Sequence, residues 1–377
     1  MQSIPPLDLT EQYAAIAAEL NAAVLEVLQS GRYINGPVVD AFAEDFAQYI
    51  GTPECVVCNS GTDALYLALR VLDIGPGDEV ITSPFTFIAT AETISAVGAT
   101  PVFVDIEPDS FNLDPELIEA VISPRSRAIM PVHLFGRPAD MSRINAIATA
   151  HRLYVIEDCA QATGAQWQGQ KVGSLGHVGC FSFFPSKNLG ACGDGGALTT
   201  ADPAIAATAR MLREHGSRER YYHEAIGINS RLDALQAAIL RIKLQHLDRW
   251  NARRAAIADE YQRLLAPIDQ VIPPTAPQAG QSVWNQYTIR LSAAASDDDL
   301  RQRVRQQLQQ HGVNTMIYYP LPLHQQQVYA ALGYGPGSFP VAEQTARQVL
   351  SLPMFPELLP EQQARVVYSL KDALLQR

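Results

Sequence analysis

The chain has 377 residues, a formal net charge of −11 and 47% apolar residues. This length is too great for one simple core, so we expect one large domain and a smaller one. The acidic balance argues against nucleic acid and anionic membranes as partners, because both attract basic patches.

The cysteines and the first residues indicate an intracellular protein. The five cysteines are odd in number and lie mostly in apolar, strand-like segments, which favours reduced thiols over a disulfide framework. Residues 1–10 contain neither a basic region nor an apolar run, and no apolar run in the chain reaches membrane-spanning length. We therefore expect a soluble, cytoplasmic protein with no membrane partner.

The first half of the chain alternates strands with helices. Two amphipathic helices are predicted first, at 11–30 and about 38–50. The predicted strands that follow are 54–58, 79–82, 101–105, 128–134, 153–158, 180–184 and 196–200, and the predicted helices between them are 62–72, 85–97, 115–122 and 140–152. This alternation predicts an α/β fold with a mostly parallel central sheet flanked by helices.

The second half predicts longer helices and a second domain. Residues 213–227 are charged, lack periodicity and are expected to form a loop, and 267–280, rich in proline and small residues, marks the crossing between domains. The predicted helices are 202–215, 231–264, 297–311, about 340–350 and about 360–375, with strands at 284–292 and 313–319. We divide the chain into a large domain, 1–250, and a small C-terminal domain, 251–377.

Residues 181–196 set one lysine, Lys187, between an apolar run and a cluster of glycines. The apolar half predicts a buried strand, which Pro185 and Ser186 end. A lysine just past such a strand faces the crevice where ligands bind in α/β sheets, and desolvation there lowers its pKa toward the nucleophilic free amine. Lys187 is thus a candidate Schiff-base lysine, although a surface lysine before a hairpin loop has the same local pattern.

The segment SGTDAL, 60–65, follows a predicted strand and opens a predicted helix. Backbone N–H groups at a helix start form an anion site, so a phosphate could bind at Gly61, Thr62 and Asp63. Ordinary capping of the helix by Ser60 or Thr62 is the structural alternative. The segment is not a Walker loop, because that motif's spacing and lysine are missing.

The segment EDCAQATGA, 157–165, follows another predicted strand. An acid at the carboxyl end of a parallel strand faces the ligand crevice, so Asp158 could hold a proton on a heterocyclic nitrogen. Capping of the following loop is the alternative for Asp158. Glu157 should point to the opposite face and is the weaker candidate.

Two further segments could contribute ligand contacts. In SPFTFIAT, 83–90, Phe85 or Phe87 could stack on a planar ligand, although phenylalanines at such places often belong to the core. In GINSRLDALQAAIL, 227–240, Asn229 and Arg231 precede a long helix and could reach an anion; capping and a surface arginine are the alternative readings.

We predict no metal site. Cys55 and Cys58 resemble a redox or metal pair, but residues three apart on a strand point to opposite faces, and the sequence has no second pair. The eight histidines show no ligand spacing.

A phosphate-binding turn, a strand-end aspartate and a downstream strand-end lysine in one α/β sheet are the parts of a pyridoxal phosphate site. With them, the chain resembles the nucleotide-sugar aminotransferase family (DegT/DnrJ type) over essentially its whole length. The segments that carry the resemblance include 60–65, 77–90, 157–165, 181–196, 227–240 and YYPLPLHQQQVY, 318–329. The resemblance implies a fold-type I transferase with a large domain and a smaller C-terminal α/β domain.

The resemblance also implies which residues hold the cofactor ring. Lys187 would bind pyridoxal phosphate as a Schiff base, and Asp158 would pair with the protonated ring nitrogen. Gln161 would lie near the phenolic oxygen of the ring, and Phe87 would stack on its face. Lys187 and Asp158 would therefore be the catalytic pair.

A homodimer with shared active sites is implied as well. The cofactor phosphate would be held by Gly61, Thr62, Asp63 and Ser182, joined by Asn229 of the second subunit. The substrate would meet Arg231, Tyr319 and His324.

The implied activity is transfer of an amino group, from glutamate, to a keto-sugar carried on UDP or dTDP, with pyridoxamine phosphate as the intermediate form of the cofactor. The segments 227–240 and 318–329 resemble most the branch that acts on 3-keto sugars. A 4-keto nucleotide sugar and a free cyclic ketone such as an inosose are the alternative acceptors. A regulatory protein that binds pyridoxal phosphate without turnover is the alternative outside enzymes.

Overall fold

The computed structural model describes residues 3–292 and 299–375. Its helices are α1 (Thr10–Ser30), α2 (Pro37–Ile50), α3 (Gly61–Val71), α4 (Ala89–Ala96), α5 (Met141–His151), α6 (Pro203–Leu212), α7 (Ala234–Leu265), α8 (Leu300–Gln310), α9 (Pro340–Gln348) and α10 (Pro360–Leu375). Its strands are β1 (Glu54–Cys58), β2 (Glu79–Thr82), β3 (Thr100–Phe103), β4 (Ser126–Met130), β5 (Tyr154–Asp158), β6 (Gln166–Trp167), β7 (Gln170–Lys171), β8 (Val178–Ser182), β9 (Gly196–Thr200), β10 (Ser217–Glu219), β11 (Tyr222–His223), β12 (Val271–Ile272), β13 (Gly280–Gln281), β14 (Tyr287–Leu291) and β15 (Val349–Leu352).

A seven-stranded sheet forms the centre of the large domain, in the order β1-β9-β8-β5-β4-β2-β3. Only β9 runs against its neighbours: its pairings with β1 and β8 are antiparallel, whereas the pairings among β8, β5, β4, β2 and β3 are parallel. This arrangement confirms the predicted mostly parallel sheet.

Helices cover both faces of this sheet, because its strands are apolar on both faces. On β1, Cys55 and Val57 pack in a core with α2 and α7, whereas Val56 and Cys58 pack in a second core with α3 and α6. Strands buried on both faces are typical of parallel sheets enclosed by helices. Helices cover the faces of the sheet, so a ligand can bind only beyond the ends of its strands. In α/β sheets this happens at the carboxyl ends of the parallel strands.

The smaller C-terminal part has a core of its own around β14, β15, α8 and α10. Helix α7 is continuous across the predicted division at residue 250, and from Ile257 onward its apolar side chains belong to this second core. Ile4 also packs there, so the chain's first described residues join the C-terminal unit. The division at 250/251 stays a prediction.

Two predicted elements of the C-terminal part are wrong. The strand expected at 313–319 is reduced to single bridges, of Val313 with Ile4 and of Met316 with Ser351. The sheet instead uses β15, four buried residues that pair with β14. Its first two residues, Val349 and Leu350, were predicted to end a helix. Tyr318 and Tyr319 line the ligand cavity instead of extending the sheet.

Several helices and one loop differ from expectation in detail. The helix expected at 115–122 forms two short 3₁₀ turns, and the helix expected at 85–97 begins only at Ala89, after a buried turn in which the Phe85 N–H donates to Ser83 Oγ. The loop expected at 213–227 contains the hairpin β10–β11. Residues 297 and 298 of the predicted helix 297–311 lie outside the described residues.

Within the described residues, no helix combines the length and the apolar character needed to cross a membrane.

Arg254, on α7, has a buried guanidinium whose contribution to the free energy of unfolding can be tested. It is 3% exposed and donates to the carbonyls of Trp284, Asn285 and Met354 at 3.2, 3.4 and 3.0 Å. Arg254→Leu leaves these carbonyls without that donor, so the free energy of unfolding should fall by about 2–4 kcal/mol. Denaturant unfolding measures this loss. Arg263→Leu, on the exposed side of the same helix, should change little, and an equal loss in both variants would contradict the assignment.

Candidate active site

A cavity of about 540 Å³ lies at the carboxyl ends of the parallel strands. It collects residues from the start of α3 and from the segments that follow β2, β5 and β8. Of the residues predicted to form the site, eight line it, namely Gly61, Thr62, Phe87, Asp158, Gln161, Ser182, Lys187 and Tyr319. Segments far apart in sequence therefore meet where the sequence analysis predicts a ligand.

Lys187 lies in the turn that follows β8, and its backbone N–H donates to the Phe184 carbonyl at 2.8 Å. The side chain reaches the cavity, yet protein surrounds it, and this desolvation lowers the pKa of its amine to about 8. The Asp158 carboxylate acts in the opposite direction and raises the pKa of Lys187. Among the described residues, the amine has no hydrogen-bond partner, which leaves it available to a ligand.

The residues on either side of Lys187 are held by a network of asparagines. Asn285 Nδ2 donates to the Ser186 carbonyl at 3.3 Å and to Asn188 Oδ1 at 2.8 Å. Asn188 Nδ2 in turn donates to Asn251 Oδ1, on α7, at 2.7 Å. The turn that carries the lysine is therefore held on both sides, while no side chain in the described part of the chain bonds to the Lys187 amine.

The start of α3 forms an anion cradle. Ser60 Oγ caps the helix by accepting from the Asp63 N–H at 3.0 Å. Within the described part of the chain, the N–H groups of Gly61 and Thr62 have no acceptor, and both residues line the cavity. A side chain at Gly61 would place its Cβ 2.7 Å from the Cβ of Ser182. Glycine is therefore needed there to bring the helix start against the end of β8, where a phosphate could meet both.

Asp158 ends β5 and is buried beside the cavity. Burial raises the pKa of its carboxyl, while hydrogen bonds from the Thr90 hydroxyl and the Ala160 N–H, and the nearby Lys187 and His133, lower it. These two bonds measure 2.8 and 3.1 Å. A carboxylate with donors already in place can hold a proton on a ligand nitrogen.

Glu157 points to the other side of the sheet, as predicted. It accepts from the N–H groups of Gly173, Leu175 and Gly176 and from His133 Nε2, at 2.7–3.0 Å. Its role is therefore to hold the loop before β8.

Ligand-type atoms of His133, Glu157 and Cys159 lie within 4.8 Å of one another, a spacing that a metal ion could use. His133 Nδ1 accepts from the Ala139 N–H, so Nε2 carries the proton given to Glu157. Burial raises the pKa of the Cys159 thiol well above its ordinary value. The cluster is already satisfied by hydrogen bonds, and we assign it a structural role.

The aromatic residues near the cavity have distinct positions. Phe85 is fully buried in the core, whereas Phe87 is 55% exposed and presents its ring to the cavity. Gln161 Oε1 accepts from the Phe135 N–H at 2.6 Å, and Gln161 Nε2 donates to the Tyr319 hydroxyl at 3.0 Å. The amide of Gln161 is thus oriented, with its N–H side toward the cavity.

Four residues predicted for the site do not line the cavity. The Asp63 carboxylate accepts from the Ser230 hydroxyl at 2.6 Å, and Arg231 pairs with Glu214 at 3.2 Å. Asn229 is exposed on the surface. His324 is 1% exposed and contacts Glu343 at 3.1 Å. Within one chain, these residues are therefore separated from Lys187.

Sequence reasoning missed several residues at the cavity. Thr86 lines it, and Thr90 donates to Asp158, but Thr86 precedes the start of α4, so no helical spacing in the sequence identifies the pair. Gln286 also lines the cavity, and its buried Oε1 has no hydrogen-bond partner among the described residues. Gln286 comes from a strand-like segment far along the chain, and nothing in its local pattern distinguishes it.

These residues fit pyridoxal phosphate. The unpartnered amine of Lys187 suits an aldehyde, the N–H groups at the start of α3 suit a phosphate, and the Asp158 carboxylate suits a pyridine nitrogen. The spacing permitted by Gly61 is the observation that supports this fit, since any other residue would close the cradle.

Comparison with known proteins agrees with this fit. The profile of the DegT/DnrJ/EryC1/StrS aminotransferase family matches residues 14–371. The chain is 48% identical, over 98% of its length and 96% of the relative's, to dTDP-3-amino-3,4,6-trideoxy-alpha-D-glucose transaminase of Streptomyces venezuelae. It is also 48% identical, over 99% of its length and 98% of the relative's, to UDP-N-acetyl-3-dehydro-alpha-D-glucosamine 3-aminotransferase of Acidithiobacillus ferrooxidans.

A solved structure gives the same result at the level of the fold. The crystal structure of S. venezuelae DesV in complex with a ketimine intermediate superposes with a TM-score of 0.95 at 46% sequence identity, and the match covers 100% of both chains.

The lowered pKa of Lys187 predicts how attachment of pyridoxal phosphate depends on pH. Only the free amine reacts, and its fraction rises with pH through the pKa of about 8. The rate constant for binding pyridoxal phosphate to the cofactor-free protein, followed by stopped-flow absorbance, should therefore rise with a midpoint near pH 8. Asp158→Asn removes the charge that raises this pKa, so its midpoint should be lower. A midpoint above about pH 10, typical of an unburied lysine, would contradict the assignment.

Proposed function

Because the chain belongs to the DegT/DnrJ/EryC1/StrS aminotransferase family, we propose that this pyridoxal phosphate-dependent aminotransferase aminates a 3-keto sugar carried on a nucleotide. The enzyme class and the cofactor follow from the family itself. The observation that carries the proposal is the cavity, where Lys187, Asp158 and the cradle at α3 are assembled.

The two relatives support the position of amination more than the identity of the nucleotide. One carries dTDP in its name and the other UDP, yet both names place the amino group at carbon 3. The identity of the chain to each is the same, 48%. We therefore propose a 3-keto sugar on either nucleotide, with a 4-keto nucleotide sugar or a free cyclic ketone as the alternatives to be tested.

We assign the roles at the cofactor as follows. Lys187 Nζ holds pyridoxal phosphate at rest, and Asp158 keeps a proton on the ring nitrogen. Gly61, Thr62 and Ser182 bind the phosphate, with Asp63 at the same helix start. The N–H side of Gln161 would face the phenolic oxygen, and Phe87 would cover one face of the ring.

Bound pyridoxal phosphate supplies an aldehyde that condenses with amines and a ring that accepts an electron pair. The chain's residues move the proton. With the amino donor, which we propose to be glutamate, bound at the cofactor, the freed Nζ of Lys187 would take the α-proton of the donor as a base and would then deliver a proton to the cofactor as an acid. The pKa of about 8 suits this exchange, because Nζ can gain and lose a proton near neutral pH. With the acceptor sugar bound, Nζ would carry out the same two proton transfers in reverse.

A regulatory protein without turnover is the weaker alternative. Such a protein would bind pyridoxal phosphate through the same lysine, but it would not need a carboxylate aligned by hydrogen bonds to protonate the ring nitrogen. This carboxylate is present, which supports catalysis.

We also infer a homodimer in which each active site takes residues from both chains. Exposed apolar side chains gather near Asn229, on Tyr33, Ile34, Tyr221, Tyr222 and Ile226. The first two lie beside the start of α7, since the Ala234 N–H donates to the Tyr33 carbonyl at 2.9 Å. A second copy covering this surface would bury it. It would also bring its Asn229 and Arg231 toward a cavity that these residues do not reach in their own chain. The substrate would then contact Arg231 together with Tyr319, which lines the cavity, and His324.

The cysteines support the proposed cytoplasmic location. All five are free thiols in the structure, four of them buried, with only Cys192 exposed. Free thiols are typical of reducing compartments. Nucleotide-sugar metabolism in the cytoplasm would be consistent with them.

The acceptor can be identified directly. The pyridoxamine form of the enzyme, prepared with glutamate, is mixed with 3-keto and 4-keto sugars on dTDP and on UDP and with a free inosose. We expect only 3-keto nucleotide sugars to restore the yellow absorbance of the lysine-bound cofactor. Lys187→Ala should lose both this absorbance and turnover. Conversion of a 4-keto sugar or of the inosose, with the 3-keto sugars inert, would refute the proposed acceptor.

Shared active sites predict that two defective variants complement each other. Lys187→Ala lacks the catalytic amine, and Asn229→Asp places a negative charge where the partner's phosphate would bind. After subunit exchange, half of the dimers are mixed and each has one intact site, so activity should return to about one quarter of the wild-type value. Differently tagged subunits show that mixed dimers form. Mixed dimers without activity would exclude the sharing of sites through Asn229.

A further inference from the structure

Three polar side chains form a buried line that ends at Asp158. Thr86 Oγ1 lies 2.9 Å from Thr90 Oγ1, and Thr90 Oγ1 donates to Asp158 Oδ2 at 2.8 Å. Both threonines are almost completely buried, 3% and 0% exposed. Thr86 also lines the cavity, so this line connects the ligand space with the carboxylate.

The direction of these hydrogen bonds follows from the charge at one end. A hydroxyl has one proton to donate, and an ionised carboxylate only accepts. Thr90 therefore gives its proton to Asp158, and its oxygen accepts from Thr86. Thr86 in this way fixes the rotation of the Thr90 hydroxyl, which could otherwise donate elsewhere.

Asp158 needs these donors because its other surroundings oppose its charge. The group is buried, and its pKa is raised by desolvation. The groups that lower its pKa by their charge are Lys187, after β8, and His133, after β4. Tyr319, Cys159 and Cys180 also interact with it, and their raised pKa values keep them neutral near pH 7. Lys187 must be uncharged before it can accept a proton as a base, and His133 has its Nε2 proton directed at Glu157. Only the Thr90 hydroxyl and the Ala160 N–H then donate to the carboxylate among the described residues.

We propose that Thr90 is a positioning residue that keeps Asp158 ionised and fixed in orientation toward the ring nitrogen of pyridoxal phosphate, and that Thr86 orients the Thr90 hydroxyl for this purpose. The inference rests on the proposed function, since it assumes that Asp158 faces the ring nitrogen. It goes beyond that function by assigning control of the nitrogen's proton to Thr90, which bonds to the carboxylate, and to Thr86, which bonds to Thr90.

The protonation of the ring nitrogen is the direct readout. Pyridoxal phosphate labelled with ¹⁵N at the ring is bound to the enzyme, and the ¹⁵N chemical shift distinguishes the protonated from the free nitrogen. We expect protonated nitrogen in the wild type and in Thr90→Ser, which keeps the hydroxyl. Thr90→Val has nearly the same shape without the donor and should shift the signal toward the free nitrogen at the same pH.

A matched control separates this effect from the loss of any buried hydroxyl. Thr93 lies on the same helix, is 1% exposed, and donates to the backbone carbonyl of Ala89 at 3.0 Å. Thr93→Val should therefore leave the nitrogen protonated. An unchanged ¹⁵N shift in Thr90→Val, or an equal shift in Thr93→Val, would overturn the proposal.

Asp158→Asn distinguishes this proposal from the function on which it rests. If the nitrogen stays protonated in Asp158→Asn, Asp158 does not control it and the proposed role of Asp158 fails. If Asp158→Asn frees the nitrogen and Thr90→Val does not, only the inference about Thr90 fails.

Affinity for pyridoxamine phosphate gives an independent measurement. This form binds without a covalent bond to Lys187, so its dissociation constant reports the contacts to the ring and the phosphate alone. Loss of a hydrogen bond to a charged group should raise this constant by about tenfold in Thr90→Val. Thr86→Val should cause a smaller increase in the same direction. It also provides the test if Thr90→Val does not fold, and wild-type values for both measurements in Thr86→Val would then refute the proposal.

Discussion

One desolvated space shifts the protonation of two groups in opposite directions. Burial lowers the pKa of Lys187 and raises that of Asp158, because in both cases it opposes the charged form. Each shift is partly opposed: the Asp158 carboxylate raises the pKa of Lys187, and hydrogen bonds lower the pKa of Asp158. Asp158 receives hydrogen bonds from Thr90 and Ala160, whereas the Lys187 amine has no such partner among the described residues. This asymmetry favours an ionised carboxylate beside an amine that can become neutral, and the roles assigned to Asp158 and Lys187 depend on it.

The fold makes this arrangement possible because two glycines let neighbouring segments approach closely at the start of α3. At Gly61 the start of α3 contacts the end of β8, and at Gly196 the start of β9 lies against the Ser60 carbonyl, where a Cβ would overlap it. The second contact depends on the reversed direction of β9, which returns the chain beside β1 and β8. The phosphate cradle and the lysine turn thus belong to one compact layer, although more than a hundred residues separate them in sequence.

Much of this could be predicted from the sequence, and the failures have physical causes. The strands of the large sheet were predictable because each is a short apolar run bounded by turn residues, and the site was predictable because Asp158 and Lys187 both follow such runs. The edge strand β15 was missed because its apolar residues continue the helical spacing of α9, and only pairing with β14 decides between the two. Thr90 and Gln286 were missed because their function depends on neighbours that no local pattern reveals. Asn229, Arg231 and His324 belong to the site only by resemblance, since one chain leaves them away from Lys187.

The length of α7 has a mechanical consequence. Helix α7 has 32 residues and, at 1.5 Å per residue, is about 48 Å long. Hydrogen bonds hold it at several points along this length. In the first half of α7, Lys243 donates to the Gly190 carbonyl and Gln236 accepts from the Cys192 N–H. This half of the helix therefore holds the loop that follows Lys187. Arg254 binds carbonyls at Trp284, Asn285 and Met354 in the C-terminal part. A rotation of the C-terminal part would therefore move α7 and, through it, the loop beside the Lys187 amine. The C-terminal part and this loop are mechanically coupled.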